Sequence, residues 1–104
     1  MSGMERRAFR RYRVEPLLAR TIPQIEGVCV LRDVSLSGAL FLSPAPPPVG
    51  SRLGIEFSEE PLDGYSLFGK VVRHESSRVR GFGVAFETPH PKLLRAVYRE
   101  ILPD

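Results

Sequence analysis

Asp33-Val34-Ser35-Leu36-Ser37-Gly38 lies between two apolar runs of β character, Val28-Cys29-Val30-Leu31 and Ala39-Leu40-Phe41-Leu42. Runs of this kind on both sides predict two strands joined by a tight connection rather than a long loop. Asp and Ser close such turns by bonding nearby backbone N–H groups, and Gly38 is expected to supply a positive φ.

Working outward from this turn, Gly27 to Arg32 is the expected second strand and Ala39 to Leu42 the third. Before them, Pro23 to Gly27 reads as a turn and Arg13 to Ile22 as a first strand, with Pro16 at its start or on an edge. After them, the proline-rich stretch Ser43 to Gly50 cannot join a ladder and is expected to cross from one side of the fold to the other. Leu53, Ile55 and Phe57 alternate on one face of a fourth strand, Ser51 to Phe57. A turn at Glu59 to Gly64 leads to a long strand, Tyr65 to Glu75, in which Gly69 suggests a bulge or bend. Ser76 to Arg80 closes a hairpin onto Gly81 to Phe86, where Phe82, Val84 and Phe86 share a face opposite Gly81, Gly83 and Ala85. The bulky face suits a core, and the bare face lets something approach the backbone. Finally, Leu93, Leu94, Val97, Tyr98 and Ile101 fall at helical spacing within Lys92 to Leu102, with Pro91 placed for the first turn. Six short strands and one terminal helix predict a small antiparallel β-barrel with the helix beside or across its mouth.

The totals agree with one soluble domain. The chain has 104 residues, 42% hydrophobic and 26% charged. No apolar run reaches the length of a membrane span, and no secretory signal is apparent at the N-terminus. A single cysteine, Cys29, fits a reducing cytoplasm. The net charge is only +3, but five arginines and one glutamate fall within residues 1–13. That segment lacks apolar periodicity and is expected to be a flexible basic arm ahead of a barrel domain at residues 14–104. Arginine outnumbers lysine heavily, since Lys70 and Lys92 are the only lysines. A GC-rich genome would give that bias, but not its clustering. A guanidinium is a planar, bidentate and stackable fork, which suits anionic and purine ligands.

No nucleophile–base pair or carboxylate pair suggests catalysis. Cys29 and the two phenylalanines Phe82 and Phe86 read as core, and His74 and His90 lack metal-ligand spacing. Arg13, Arg73, Arg78 and Arg80 are read as surface cations.

Two motifs then stand together. Arg7-Ala8-Phe9-Arg10-Arg11 fits R-x-x-x-R just before the first strand, and Asp33 to Gly38 fits [D/N]-x-S-x-x-G between the second and third. The pair resembles the PilZ domain, the bacterial receptor module for cyclic di-GMP. Gly69-Lys70-Val71-Val72-Arg73 and Gly81 to Phe86 are also similar to that family, so the likeness runs from about Glu5 to Leu102. The resemblance implies a six-stranded PilZ-type barrel with a C-terminal helix. It also implies that Arg7 and Arg11 hold guanine edges and phosphates, over a turn formed by Asp33, Ser35 and Gly38. Arg6 and Arg10 give the same spacing in another frame. An arginine ahead of the motif, here Arg6, accompanies two stacked ligand molecules in this family.

The residues support those roles independently. A guanidinium fork matches guanine O6 and N7, discriminating by about 1–3 kcal/mol per pair. Arginine also forms strong charge-assisted bonds to phosphate. Asp33 repels phosphate, so it accepts from guanine N1–H and N2–H or fixes the turn; Ser35 and the Gly38 amide can donate. The expected function is a cytoplasmic, non-enzymatic cyclic di-GMP receptor without metal or cofactor. Ligand binding orders its arm, and the signal passes to a protein partner in motility, pilus or exopolysaccharide control. The alternatives are a PilZ-like adaptor that ignores the nucleotide, and a barrel for single-stranded nucleic acid. The last usually interleaves aromatics with basic residues on a strand face, a pattern missing here.

Overall fold

The computed structural model describes residues 11–76 and 79–96. The element order is β1 (Tyr12–Ile22), β2 (Cys29–Val34), β3 (Gly38–Leu42), β4 (Arg52–Phe57), β5 (Ser66–Glu75), β6 (Gly81–Phe86) and α1 (Pro91–Ala96). The strands close into one barrel in the order β1-β2-β3-β6-β5-β4, with every neighbouring pair antiparallel. The six-stranded antiparallel barrel with a terminal helix is therefore the architecture. Because β3 neighbours β2 and β6 while β4 neighbours β5 and β1, the proline-rich connection does cross the fold.

Period-2 alternation explains the interior. Val14, Leu31, Phe41, Ile55, Val71 and Phe82 are essentially inaccessible to solvent. The Phe41 ring stacks on Phe82 at 5.6 Å between centroids and on Phe57 at 6.3 Å, which centres the core on three aromatic rings. Leu62, from the turn between β4 and β5, and Leu93 of α1 complete the same cluster. Pro91 opens the helix, where its missing N–H would have had no partner anyway.

Local bounds shift where tertiary pairing overrides composition. β2 starts later than Gly27 and runs on through Asp33 and Val34, because Arg13 pairs with Asp33, Tyr12 with Val34, and Val34 with Ala39. The connection itself is thus only Ser35-Leu36-Ser37. Gly38 is not left-handed; among the described residues, positive φ belongs to Gly27, Gly50 and Gly64. What Gly38 provides is room, since a Cβ there would stand 2.6 Å from the Val84 carbonyl oxygen. Gly69 likewise lies against the Val84 side chain and the Ala85 carbonyl, while the register shift in β5 falls two residues later, between Val71 and Arg73. Pro16 sits inside β1 at the register shift between Arg13 and Leu17, where the ladder to β2 is interrupted and its missing N–H is tolerated. β1 begins at Tyr12 and pairs with β4 only from Ala19 to Ile22. The expected arm up to residue 10 and the helix beyond Ala96 lie outside the described residues.

Candidate ligand-binding face

The turn is held by a dense set of short-range bonds. Ser35 N–H donates to the Gly38 carbonyl at 2.8 Å, and the Ser35 hydroxyl donates to the same oxygen at 3.3 Å. That hydroxyl also accepts from Ser37 N–H at 3.3 Å, and Ser35 is only 8% exposed. Two more carbonyls of the turn accept from the end of β6 and the chain after it: Phe86 N–H donates to Ser37 O at 2.9 Å and His90 N–H to Leu36 O at 3.1 Å. His90 in turn meets the Tyr65 hydroxyl through Nδ1 at 2.8 Å and sets its ring edge-on to Phe86 at 5.1 Å. Burial lowers the His90 pKa and raises that of Tyr65. The turn is consequently a rigid platform, and Ser35 shapes it from within.

Asp33 stands on the outward face of β2, since its neighbour Val34 is fully buried and successive side chains alternate. The registers place it in a row crossing five strands: Arg13 pairs with Asp33, Asp33 with Leu40, Leu40 with Gly83, and Gly83 with Arg73. Asp33 thus has Arg13 directly beside it on the barrel's outer face, and Arg73 stands three strands further along the same row. The Arg73 side chain covers Gly83, its Cγ and Nε each 3.1 Å from where a β-carbon would stand. Its Nη1 also bonds Glu75 Oε1 at 3.3 Å. Next along the same face, Gly38 pairs with Ala85 and Ala85 with Lys70, so the surface beside the row is low and cationic at its far side.

Of the residues expected to bind ligand, Asp33, Ser35 and Gly38 come together at the end of β2 and start of β3. Arg11 immediately precedes β1, two residues from the Arg13–Asp33 pair, so the chain leading into β1 enters beside Asp33. Arg6 and Arg7, with the alternative frame's Arg10, lie outside the described residues. Sequence reasoning assigns Arg13 and Arg73 to the general surface. The signal that singles them out is strand register, which composition does not carry. Cys29 is buried, and burial pushes its thiol up to about 12, which suits a core residue and not a nucleophile.

Comparison with curated proteins finds no match. Among solved structures, the fold is similar to that of the Bacillus subtilis Inhibitor of motility (MotI/DgrA), with a TM-score of 0.66 and 15% identity. That likeness covers 89% of this chain and 48% of the other, so the chain spans about half the length of that protein. It is also similar to the PilZ domain with c-di-GMP of YcgR from Escherichia coli, with a TM-score of 0.63 and 18% identity over 90% of this chain and 87% of that one. At these identities the likeness is one of fold. The PilZ domain model matches residues 5–102, nearly the whole sequence, and the chain therefore belongs to the PilZ domain family.

Proposed function

We propose that the chain is a cyclic di-GMP receptor and adaptor in which the arginines before β1 close over the outward face carrying Asp33. The observation that carries this reading is the pairing of Arg13 with Asp33, which brings Arg11, the last residue of the R-x-x-x-R motif, to the edge of the Asp33–Gly38 segment. Membership of the PilZ family supports it, as does the likeness in fold to the Escherichia coli PilZ domain solved with c-di-GMP. In this reading Arg7 and Arg11 clamp guanine edges and phosphates, Asp33 accepts from a guanine N1–H and N2–H, and Arg6 admits a second stacked molecule. Ser35 acts by holding the platform, and Gly38 by letting β3 approach β6. Ordering of the arm consumes a few kcal/mol of the interaction energy and presents a new surface to a protein partner, in motility, pilus or exopolysaccharide control. The site of action is the cytoplasm, and the role is regulatory rather than catalytic. No helix among the described residues is long and apolar enough to cross a membrane.

Calorimetric titration of the full chain with cyclic di-GMP tests this directly. Saturable binding lost in Arg7→Ala and Arg11→Ala is the expected result, and a stoichiometry that falls to half in Arg6→Ala would assign the second molecule. Absence of heat at tens of micromolar ligand overturns the receptor reading and leaves an adaptor that works by protein contact alone.

A further inference from the structure

At the end of the barrel away from the Ser35–Ser37 turn, the outer face carries a groove of about 390 Å³. Val28, Val30, Leu42, Pro44 and Val79 form its walls, and Arg80 is the one charged residue among the described residues lining it. Val28 is 63% and Val79 51% exposed, high values for branched aliphatic side chains. The apolar surface does not stop at the groove. Leu18, itself 41% exposed, pairs in register with Val30, and Val30 with Leu42, which extends it across β1, β2 and β3.

Arg80 differs from three arginines of the barrel wall. Arg20, Arg52 and Arg73 are each ion-paired, with Glu56, Glu87 and Glu75 respectively. Arg80 has no carboxylate partner among the described residues; its Nη1 donates instead to the Pro44 carbonyl at 3.1 Å. A guanidinium has five N–H donors, so this bond fixes the group at the lip of the groove and leaves donors for an incoming acceptor. Holding the side chain in place beforehand also reduces the entropy lost when that acceptor arrives.

We propose that this groove docks a segment of a partner protein whose aliphatic side chains lie beside a carboxylate, the carboxylate pairing with Arg80. Charge complementarity selects the acid, and the walls select its neighbours. The open, extended shape selects a protein: a small-molecule site encloses most of its ligand, whereas an apolar strip across three strands suits a row of side chains. A second copy of this chain docked by the same face would bring two Arg80 guanidiniums into one interface with no carboxylate among the described lining residues to meet them. Nucleic acid finds neither aromatic platforms nor a basic cluster among the described lining residues. The inference shares with the proposed function the expectation of a protein partner, but it rests on the groove alone.

The test is a titration of the isotope-labelled full chain, followed by backbone amide shifts, with a capped tetrapeptide of one glutamate followed by leucine, valine and leucine. Saturable shifts confined to Val28, Val30, Leu42, Val79 and Arg80 are expected. Affinity should fall about three- to fivefold when the peptide glutamate is replaced by glutamine, or when Arg80→Met removes the charge and keeps the stem. Val79→Ser, at an exposed position, should leave the spectrum folded and weaken binding. Dispersed shifts, no saturation, equal affinity of the two peptides, or equal binding of octanoate would each overturn the inference, as would a dimer seen in sedimentation and lost in Val79→Ser. Running the titration with and without cyclic di-GMP separates the two readings. Peptide binding without any nucleotide heat sinks only the receptor, and nucleotide heat without peptide binding sinks only the groove.

Discussion

The guanidinium-bearing side chain of Arg73 lies across the bare α-carbon of Gly83, on the strand beside its own, in the register row that contains Asp33. Gly83 is two strand spacings from Asp33, or about 10 Å. A cation and an anion so placed share one outward row, the face to which the proposed function assigns the ligand.

Arg73→Met should therefore weaken cyclic di-GMP binding about tenfold, the worth of one charge-assisted contact. The methionine still covers Gly83, so unfolding free energy should stay within about 0.5 kcal/mol of the parent, the surface pair with Glu75 being worth little. Calorimetry alongside urea denaturation separates the two effects, and a loss of stability equal to the loss of affinity would assign Arg73 a purely structural role.

Gly38→Ala should be costly although Gly38 has no unusual backbone angle. Its new methyl would meet the backbone carbonyl of Val84 at 2.6 Å, and a strand carbonyl cannot swing aside as a side-chain tip can. A loss of about 1–3 kcal/mol in urea denaturation is expected, of the size seen for overpacking.

Ser35 and Ser37 should separate cleanly. Ser35→Ala removes a buried hydroxyl that both donates to Gly38 O and accepts from Ser37 N–H. It should cost about 1–2 kcal/mol and loosen the turn. Ser37 is exposed, and Ser37→Ala should change stability by less than about 0.5 kcal/mol. Amide hydrogen exchange at Ser37 and Gly38 reports the loosening independently.

His90 gives a pH dependence of known sign. Burial lowers its folded-state pKa, so the unfolded chain holds more protons just below the ordinary histidine value. Stability contributed by this group is present above pH 6.5 and declines as pH falls through the window beneath it. Urea midpoints measured from pH 7.5 down to 5.5 should fall in the parent, and fall less in His90→Gln.

Much of the barrel is legible in the sequence because burial writes itself as alternation. Phe82, Val84 and Phe86, or Leu53, Ile55 and Phe57, announce an inner face without help from any distant residue. The exceptions all involve partners far along the chain. Asp33 reads as a turn residue until Arg13 and Leu40 are known to flank it in the ladder. Gly38 looks like a turn glycine until the Val84 carbonyl is placed above it. The site divides in the same manner: Asp33, Ser35 and Gly38 are legible as a motif. The cross-strand row from Arg13 to Arg73 depends on register shifts that no local pattern records.

The uneven pairing of β1 has a mechanical outcome. Ala19 pairs with both β2 and β4, and Arg20 to Ile22 pair with β4, which seals the ring, whereas Tyr12 and Arg13 lean for their strand pairing on β2 alone, ahead of the break at Pro16. The leading end can therefore peel or re-seat as a hinged tab while the cylinder behind it stays shut. A molecule that tugs on Arg11 or Arg13 works against these ladder contacts and against Val14, the side chain that ties the leading end to the core.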